Sequence, residues 1–371
     1  MKKKILFFVT EDWYFLSHRI KLAKYLQEKG YQVSVCCKDT GRINELKVKG
    51  IICHNLNIKR KSLSLFQFLN ELTNFIKTIN KVKPNIIHLI SLRTITIGIL
   101  ASLFVKGKFF ATFTGMGFLF IKKGITGIIL RKIITLSLRF CIFLKKSTFV
   151  VQNKDDQILF TQKFKFKKDM VKLIRGSGVD LDFYKYCPEI ENKNIIITYA
   201  GRILEDKGVL FLIEAFNKAK KKCANIKLYI AGSLDEKNPT SIKKKYFDKL
   251  IKNSQVYYLG NVTDIYKLWR ESNIAILLSK REGLPLSLLE AASVGRAIIS
   301  SDVPGSREIA IDGYNSINVE LGNIEECSKA IIKLTKNKKL REKYGKNSRK
   351  LVESDLALEH ICDQYYRLYN N

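Results

Sequence analysis

Two carboxylates, Glu282 and Glu290, bracket a Gly283-Leu284-Pro285 turn within NIAILLSKREGLPLSLLE, residues 273 to 290. Ile274 to Leu278 is an unbroken apolar run, as a buried parallel strand is. Proline suits the first turn of a helix, where its missing N–H has no partner to lose. The next backbone N–H groups then point, unpaired, out of a helix N-terminus, a ready anion site. Carboxylates grip hydroxyl groups and free N–H groups grip phosphate; a ligand offering both is a sugar nucleotide. A second cluster lies upstream, where strand Ile195 to Ala200 ends in Gly201-Arg202 and Lys207-Gly208 opens a helix. Ligands of open α/β sheets sit outside the carboxyl ends of strands. Arg202, with its planar fork, and Lys207, a point charge, stand at that edge and together could neutralise a diphosphate; in a chain with 66 Lys and Arg, two solvated surface cations are the alternative.

The segment Glu282 to Glu290 resembles the E-x7-E motif of retaining glycosyltransferases with the GT-B fold, in particular glycosyltransferase family 4. Gly201 to Gly208 is similar to that family's phosphate-binding motif, G-R-x-x-x-x-K-G. The resemblance covers essentially the whole chain, including Gly176-Ser177-Gly178-Val179-Asp180 and Leu259-Gly260-Asn261-Val262. It implies that Gly201, Arg202 and Lys207 meet the donor diphosphate, that Glu282 contacts hydroxyls of the transferred sugar and that Glu290 binds the ribose. It further implies that Val262 lies near the nucleobase and that the N–H groups of Gly283 and Leu284 touch sugar or phosphate. Leu286 and Ser287 would lie beside the helix terminus. Glu282, Arg202 and Lys207 are the candidate catalytic residues, Arg202 and Lys207 stabilising the charge on the departing phosphate. Asp180-Leu181-Asp182 is read as lying near a linker, away from both motifs, so no metal and no cofactor are expected. Retention of anomeric configuration is implied by the family.

The acceptor side is less marked. Thr10 to Arg19, TEDWYFLSHR, follows the first strand and is similar to a W-x-F-x-x-H-R subgroup of bacterial surface-polysaccharide and lipid-linked oligosaccharide enzymes. Ser17 reads as an N-cap. His18 reads as a ligand of acceptor or donor phosphate, or as packing at the helix start. Thr114 and Gly115, in the Phe113 to Phe118 turn, are further candidates. Gly115 and Gly117 would allow close backbone approach, or simply make the turn.

Alternating strand and helix patterns position these residues. Strands are expected at Ile5 to Val9, Tyr31 to Cys36, Ile86 to Ile90, Phe109 to Phe113 and Thr148 to Val151, with helices at Leu16 to Lys29, Leu63 to Asn80 and Ile125 to Leu144. The pattern restarts with strands Ile195 to Tyr199, Ile226 to Ile230, Ile274 to Leu278 and Ala297 to Ser300. Such alternation marks parallel α/β sheets. The polar stretch Tyr186 to Asn194 reads as a linker. The expected architecture is GT-B: two Rossmann-like doubly wound domains facing across a cleft. Residues 1–187 would be the acceptor domain and 188–355 the nucleotide-sugar domain, with a last helix in 356–371 crossing back to the first.

The chain of 371 residues carries a formal net charge of +32, with 46% hydrophobic and 27% charged residues. Between Glu45 and Asp155 the one acidic residue is Glu71. In an expected helix over residues 125–146, Arg131, Lys132, Arg139, Lys145 and Lys146 fall within an arc of roughly 140°. No nucleic-acid-binding signature accompanies the charge, and the interleaved apolar residues favour an anionic membrane surface. Eight scattered cysteines without metal-ligand spacing fit reduced thiols in the cytoplasm. Too few apolar residues follow Lys2-Lys3-Lys4 for a signal peptide, and no spanning helix is expected. The resulting expectation is a cytoplasmic enzyme, peripheral at the inner membrane face, moving a sugar from a UDP-sugar to a polyprenyl-diphosphate-linked or polysaccharide acceptor in capsule or O-antigen synthesis. The alternatives are a GT-B enzyme with a soluble acceptor, a sugar-nucleotide epimerase, and a basic nucleic-acid-binding protein.

Overall fold

The computed structural model describes residues 2–59, 64–115, 132, 147–191, 193–236, 238, 240–252 and 255–371. The expected helix over 125–146, apart from Lys132, and the Met116 to Phe118 turn lie outside them. Two compact units emerge: Met1–Ser177 together with Ile361–Asn371, and Gly178–His360.

The first unit is built on strands β1 (Lys4–Glu11), β2 (Gln32–Lys38), β3 (Ile52–Asn55), β4 (Ile86–Ile90), β5 (Lys108–Phe113), β6 (Thr148–Val151) and β7 (Val171–Leu173). They pair in the order β3-β2-β1-β4-β5-β6-β7, every pair parallel. Continuous apolar runs such as Ile5 to Val9 are fully buried because crossover helices cover both sheet faces. The order reverses between β1 and β4, which places the loops after these strands at a switch point.

The second unit contains β8 (Ile195–Ala200), β9 (Ile226–Ala231), β10 (Val256–Gly260), β11 (Ile274–Leu277), β12 (Ala297–Ser301) and β13 (Ser316–Val319). Their order is β10-β9-β8-β11-β12-β13, again parallel throughout, and it reverses between β8 and β11. Each unit is thus a doubly wound sheet of the Rossmann type.

Three local readings change. The supposed linker is fastened to the second unit: Cys187 N–H donates to Val294 O at 3.1 Å, and the Arg341 guanidinium grips the Glu189 carboxylate at 2.7 Å. The division between units therefore falls at Ser177/Gly178. The first helical stretch is two helices, Asp12–His18 and Ile20–Glu28, broken at Arg19, whose backbone leaves the helical region at φ −129°, ψ −11°. Ser17 is consequently no N-cap; its hydroxyl donates back to Trp13 O at 2.9 Å inside the first helix.

The C-terminal helix Leu358–Asn370 enters the first unit through Ile361 and beyond. The Tyr369 hydroxyl bonds His88 Nδ1 at 2.6 Å, and His88 Nε2 bonds Thr112 Oγ1 at 2.7 Å. Burial, and then the Arg19 charge, hold His88 well below its ordinary pKa, so the imidazole is neutral and both ring nitrogens are satisfied. Arg19 Nη1 donates to Tyr365 OH at 3.3 Å. Tyr369→Phe leaves His88 Nδ1 buried without its partner and is expected to cost about 1–3 kcal/mol, read by urea unfolding of the purified protein.

Candidate functional site

The loops after β8 and β11 meet at the switch point of the second unit. After β8, Gly201 N–H donates to Ala231 O at 2.9 Å, and Tyr199 OH donates to Arg202 O at 2.7 Å. A single turn, Glu205–Lys207, leads to Gly208, which starts helix Val209–Lys220 at φ +72°. A Cβ there would stand 2.1 Å from the Leu278 carbonyl oxygen, so only glycine lets the two loops touch.

Their side chains close the contact. Lys207 Nζ meets Glu282 Oε1 at 2.5 Å, both largely buried, and Lys280 Nζ meets Asp206 Oδ1 at 3.1 Å. From the other side, Glu282 N–H donates to Pro304 O at 3.1 Å. The Asp302 to Glu308 loop reaches this site through that bond. It props the Glu282 backbone, while Arg307 is taken up by Asp302 at 2.5 Å. Arg202 points elsewhere, pairing with Asp235 at 3.1 Å in an exposed bridge.

Pro285 stands one place earlier than expected. It is the N-cap of helix Leu286–Val294, and its carbonyl accepts from Leu289 N–H at 3.1 Å. Leu286 and Ser287 form the first turn, whose N–H groups are the free donors. Gly283 is buried, and Leu284 and Val262 each pack on the core of this unit. Glu290 lies along that helix, where Tyr184 OH donates to Oε1 at 2.9 Å and Trp269 Nε1 to Oε2 at 3.5 Å. Burial pushes its carboxyl up to about 7, against the pull of both hydrogen bonds. Tyr184, two residues beyond the Asp180 to Asp182 stretch, thus reaches one of the motifs. Sequence reasoning missed Tyr184 and Trp269, since neither belongs to a spaced motif.

In the first unit, His18 stacks on Tyr14 with ring centroids 4.5 Å apart, and its Nδ1 lies 2.6 Å from Ser17 Oγ. Burial, reinforced by the neighbouring Arg19 charge, lowers its pKa to about 4. His18 is therefore neutral near pH 7 and presents an imidazole rather than a cation. Thr114 is half-buried at the end of β5, and Gly115 follows at φ +128°. Two further residues escaped the sequence reading. Asp12 is buried, which alone would raise its pKa. Hydrogen bonds from the Thr40 side chain and the Thr40, Arg42 and Trp13 N–H groups outweigh burial and hold it ionised. Ser91, ending β4 at the other side of the switch point, sits at φ +90°, a strained value for a residue with a Cβ. Among the described residues no cluster of three or more His, Cys, Asp or Glu is placed to hold a metal ion.

Residues 185–351 match the glycosyl transferases group 1 family, and residues 4–152 match the glycosyl transferase 4-like family. The chain belongs to the glycosyltransferases. The transferase is 25% identical to the capsular polysaccharide biosynthesis glycosyltransferase CapM of Staphylococcus aureus, covering 94% of this chain and 92% of that one. It is 27% identical to the N,N'-diacetylbacillosaminyl-diphospho-undecaprenol alpha-1,3-N-acetylgalactosaminyltransferase of Campylobacter jejuni, covering 96% and 97%. In fold it is similar to Anabaena HepE, solved with UDP and glucose, at a TM-score of 0.78, 16% identity and full coverage of both chains. The two parallel sheets are those of a GT-B transferase.

The Gly208 contact gives a direct test. Gly208→Ala forces a Cβ onto the Leu278 carbonyl at a left-handed φ and is expected to destabilise the transferase by at least about 1 kcal/mol, measured by thermal unfolding.

Proposed function

We propose that this glycosyltransferase moves a sugar, with retention, from a nucleotide-sugar donor to a polyprenyl-diphosphate-linked acceptor during assembly of a bacterial surface polysaccharide. The observation that carries this reading is the Lys207–Glu282 pair at the switch point. A cation suited to phosphate and a carboxylate suited to hydroxyls are held 2.5 Å apart beside a helix N-terminus. The likeness to the capsular and the undecaprenol-linked transferases supports the acceptor class. The Campylobacter relative's N-acetylgalactosaminyl transfer and the UDP in the HepE structure support a UDP-linked N-acetylhexosamine donor.

In this reading Lys207 leaves Glu282 for the donor diphosphate, and Arg202 exchanges Asp235 for the same group. Gly201 and the N–H groups of Gly283 and Leu284 line that approach. Glu282, released, accepts hydrogen bonds from hydroxyls of the sugar, while Glu290 takes the ribose. The anomeric C–O bond breaks with its electron pair passing to the diphosphate. The acceptor oxygen adds from the same face and its proton goes to the departing phosphate oxygen. Arg202, Lys207 and the helix terminus supply the positive charge this leaving group needs, so the step runs without a metal ion. His18, Thr114 and Gly115 are the acceptor-side residues, His18 as a neutral hydrogen-bonding group.

The first unit's surface supports attachment to an anionic membrane face, the cytoplasmic one in this reading. Glu71, the one acid between Glu45 and Asp155, is buried and neutralised by Arg93 at 2.9 Å. Among the described residues, every exposed charged side chain of that stretch is therefore basic. Leu65, Phe66 and Leu69 stand out of the start of helix Leu65–Val82, Phe66 at 83% exposure. Apolar side chains beside unopposed positive charge suit an anionic lipid surface. No described helix is long and apolar enough to cross a membrane.

Arg202→Ala and Glu282→Ala are expected to abolish transfer from UDP-N-acetylhexosamine with circular dichroism unchanged, Glu282→Ala also lowering the melting temperature because Lys207 loses its partner, and wild-type transfer is expected to persist in excess chelator. Full activity in both variants overturns the assignment. Phe66→Asp is expected to weaken binding to anionic vesicles about tenfold in a sedimentation assay, the loss of one buried aromatic, with added salt weakening the wild type further.

A further inference from the structure

Glu290 is not a free carboxylate waiting for a ligand. Oε1 already accepts from Tyr184 OH at 2.9 Å and Oε2 from Trp269 Nε1 at 3.5 Å. Each oxygen of an ionised carboxylate has room for two donors. Two protein donors, one on each oxygen, fix the plane of the group and leave one acceptor position on either side.

Both donors are themselves held rigidly. Trp269 is fully buried in the core of the second unit, on helix Ile265–Glu271. The Tyr184 ring packs edge-on against Phe183 and Tyr266, with centroids 4.9 and 6.2 Å away. Its backbone is pinned by the Arg349 guanidinium, which donates to Tyr184 O at 2.8 Å and to Ser293 O at 2.9 Å. Tyr184 N–H donates to Asp180 O at 2.9 Å. Nothing in the fold of the second unit requires a hydroxyl on this ring, because every one of these contacts would be kept by phenylalanine. The hydroxyl serves Glu290.

We propose that Tyr184 is a positioning residue for Glu290: with Trp269 it orients the carboxylate so that its two remaining acceptor positions receive a vicinal pair of hydroxyls, which makes the site selective for a ribonucleotide over a 2′-deoxyribonucleotide. The proposal rests on the reading of Glu290 as the ribose ligand. A polar site built for two hydroxyls rejects an analogue lacking one, since a buried acceptor is then left unpaired. The ionisation state follows the same geometry. Glu290 carries its charge only above about 7, and Tyr184 donation favours that charged form. The other ionisable groups facing the pair are Asp180 and Asp264, which act on Tyr184, and Arg349 behind it.

The test uses the full chain with UDP and 2′-deoxy-UDP, binding followed by thermal protection, and donor KM and kcat for transfer from UDP-N-acetylhexosamine. Wild type is expected to bind UDP at least about tenfold more tightly than its deoxy analogue. Tyr184→Phe is expected to raise donor KM roughly tenfold with kcat little changed, to shrink the ribose preference, and to move the acid limb of UDP binding to higher pH. Unchanged KM, ribose preference and pH limb in Tyr184→Phe overturn the proposal while leaving the Glu290 reading intact. Glu290→Gln separates the two: if it binds UDP and deoxy-UDP as wild type does, the ribose reading itself falls, and the role of Tyr184 with it.

Discussion

The ion pair between Lys207 and Glu282 ties together two loops that arrive from different strands of the second sheet. β8 and β11 lie side by side, but the chain winds in opposite directions from each, so a crevice opens between their loops. Here the crevice is bridged by opposite charges and by Gly208 pressed against the Leu278 carbonyl. The pair solves an electrostatic problem as well. A cation and a carboxylate at a largely buried position would each be costly alone, and each makes the other tolerable. Any ligand that takes one of them must satisfy the other. That condition suits a ligand carrying an anion and hydroxyl groups in one molecule.

What could be read from the sequence follows the depth of burial. The nine strands expected from apolar runs are the interior strands of the two sheets, and the four that were missed, β3, β7, β10 and β13, are the four edges. An edge strand is covered on fewer sides, so ICHN or SINV need not be continuously apolar and shows no period to recognise. The motif residues could be picked out by their spacing, and Lys207 and Glu282, read from separate motifs, meet in the fold. Arg202 stands on the loop expected for it, yet its partner, Asp235, comes from the loop after β9 and leaves no local trace. Tyr184 reaches Glu290 across more than a hundred residues of chain, and the polar stretch after it looked like a tether. That stretch is largely exposed, yet Cys187 and Glu189 fasten it to the second unit through a hydrogen bond and an ion pair. The break at Arg19 was hidden too, since a helical period continues through it.

The first unit keeps a different kind of order. Its interior holds an arginine, a histidine and two tyrosines from three separated stretches of chain, Arg19, His88, Tyr365 and Tyr369. Buried polar groups of this kind specify one arrangement more sharply than apolar packing does, because a misplaced partner leaves a donor or acceptor unpaired. The cluster explains why the C-terminal helix has a unique seat. Its arginine also reinforces the neutral state of His18, whose proton affinity is depressed first by burial and then by that cation. On the outside of the same unit the logic reverses: the single acid of a long basic stretch is hidden with Arg93, and the positive field is left unopposed.

The seat of that last helix has a consequence for how the chain comes off the ribosome. The second unit is one unbroken segment, Gly178–His360, while the first needs Ile361–Asn371 to complete its interior. Domains commonly fold in the order they are made. Here the order is inverted at the finish: the later unit has all its residues first. The earlier one must wait, with His88 and Arg19 lacking their tyrosine partners, until the final turn of helix has emerged.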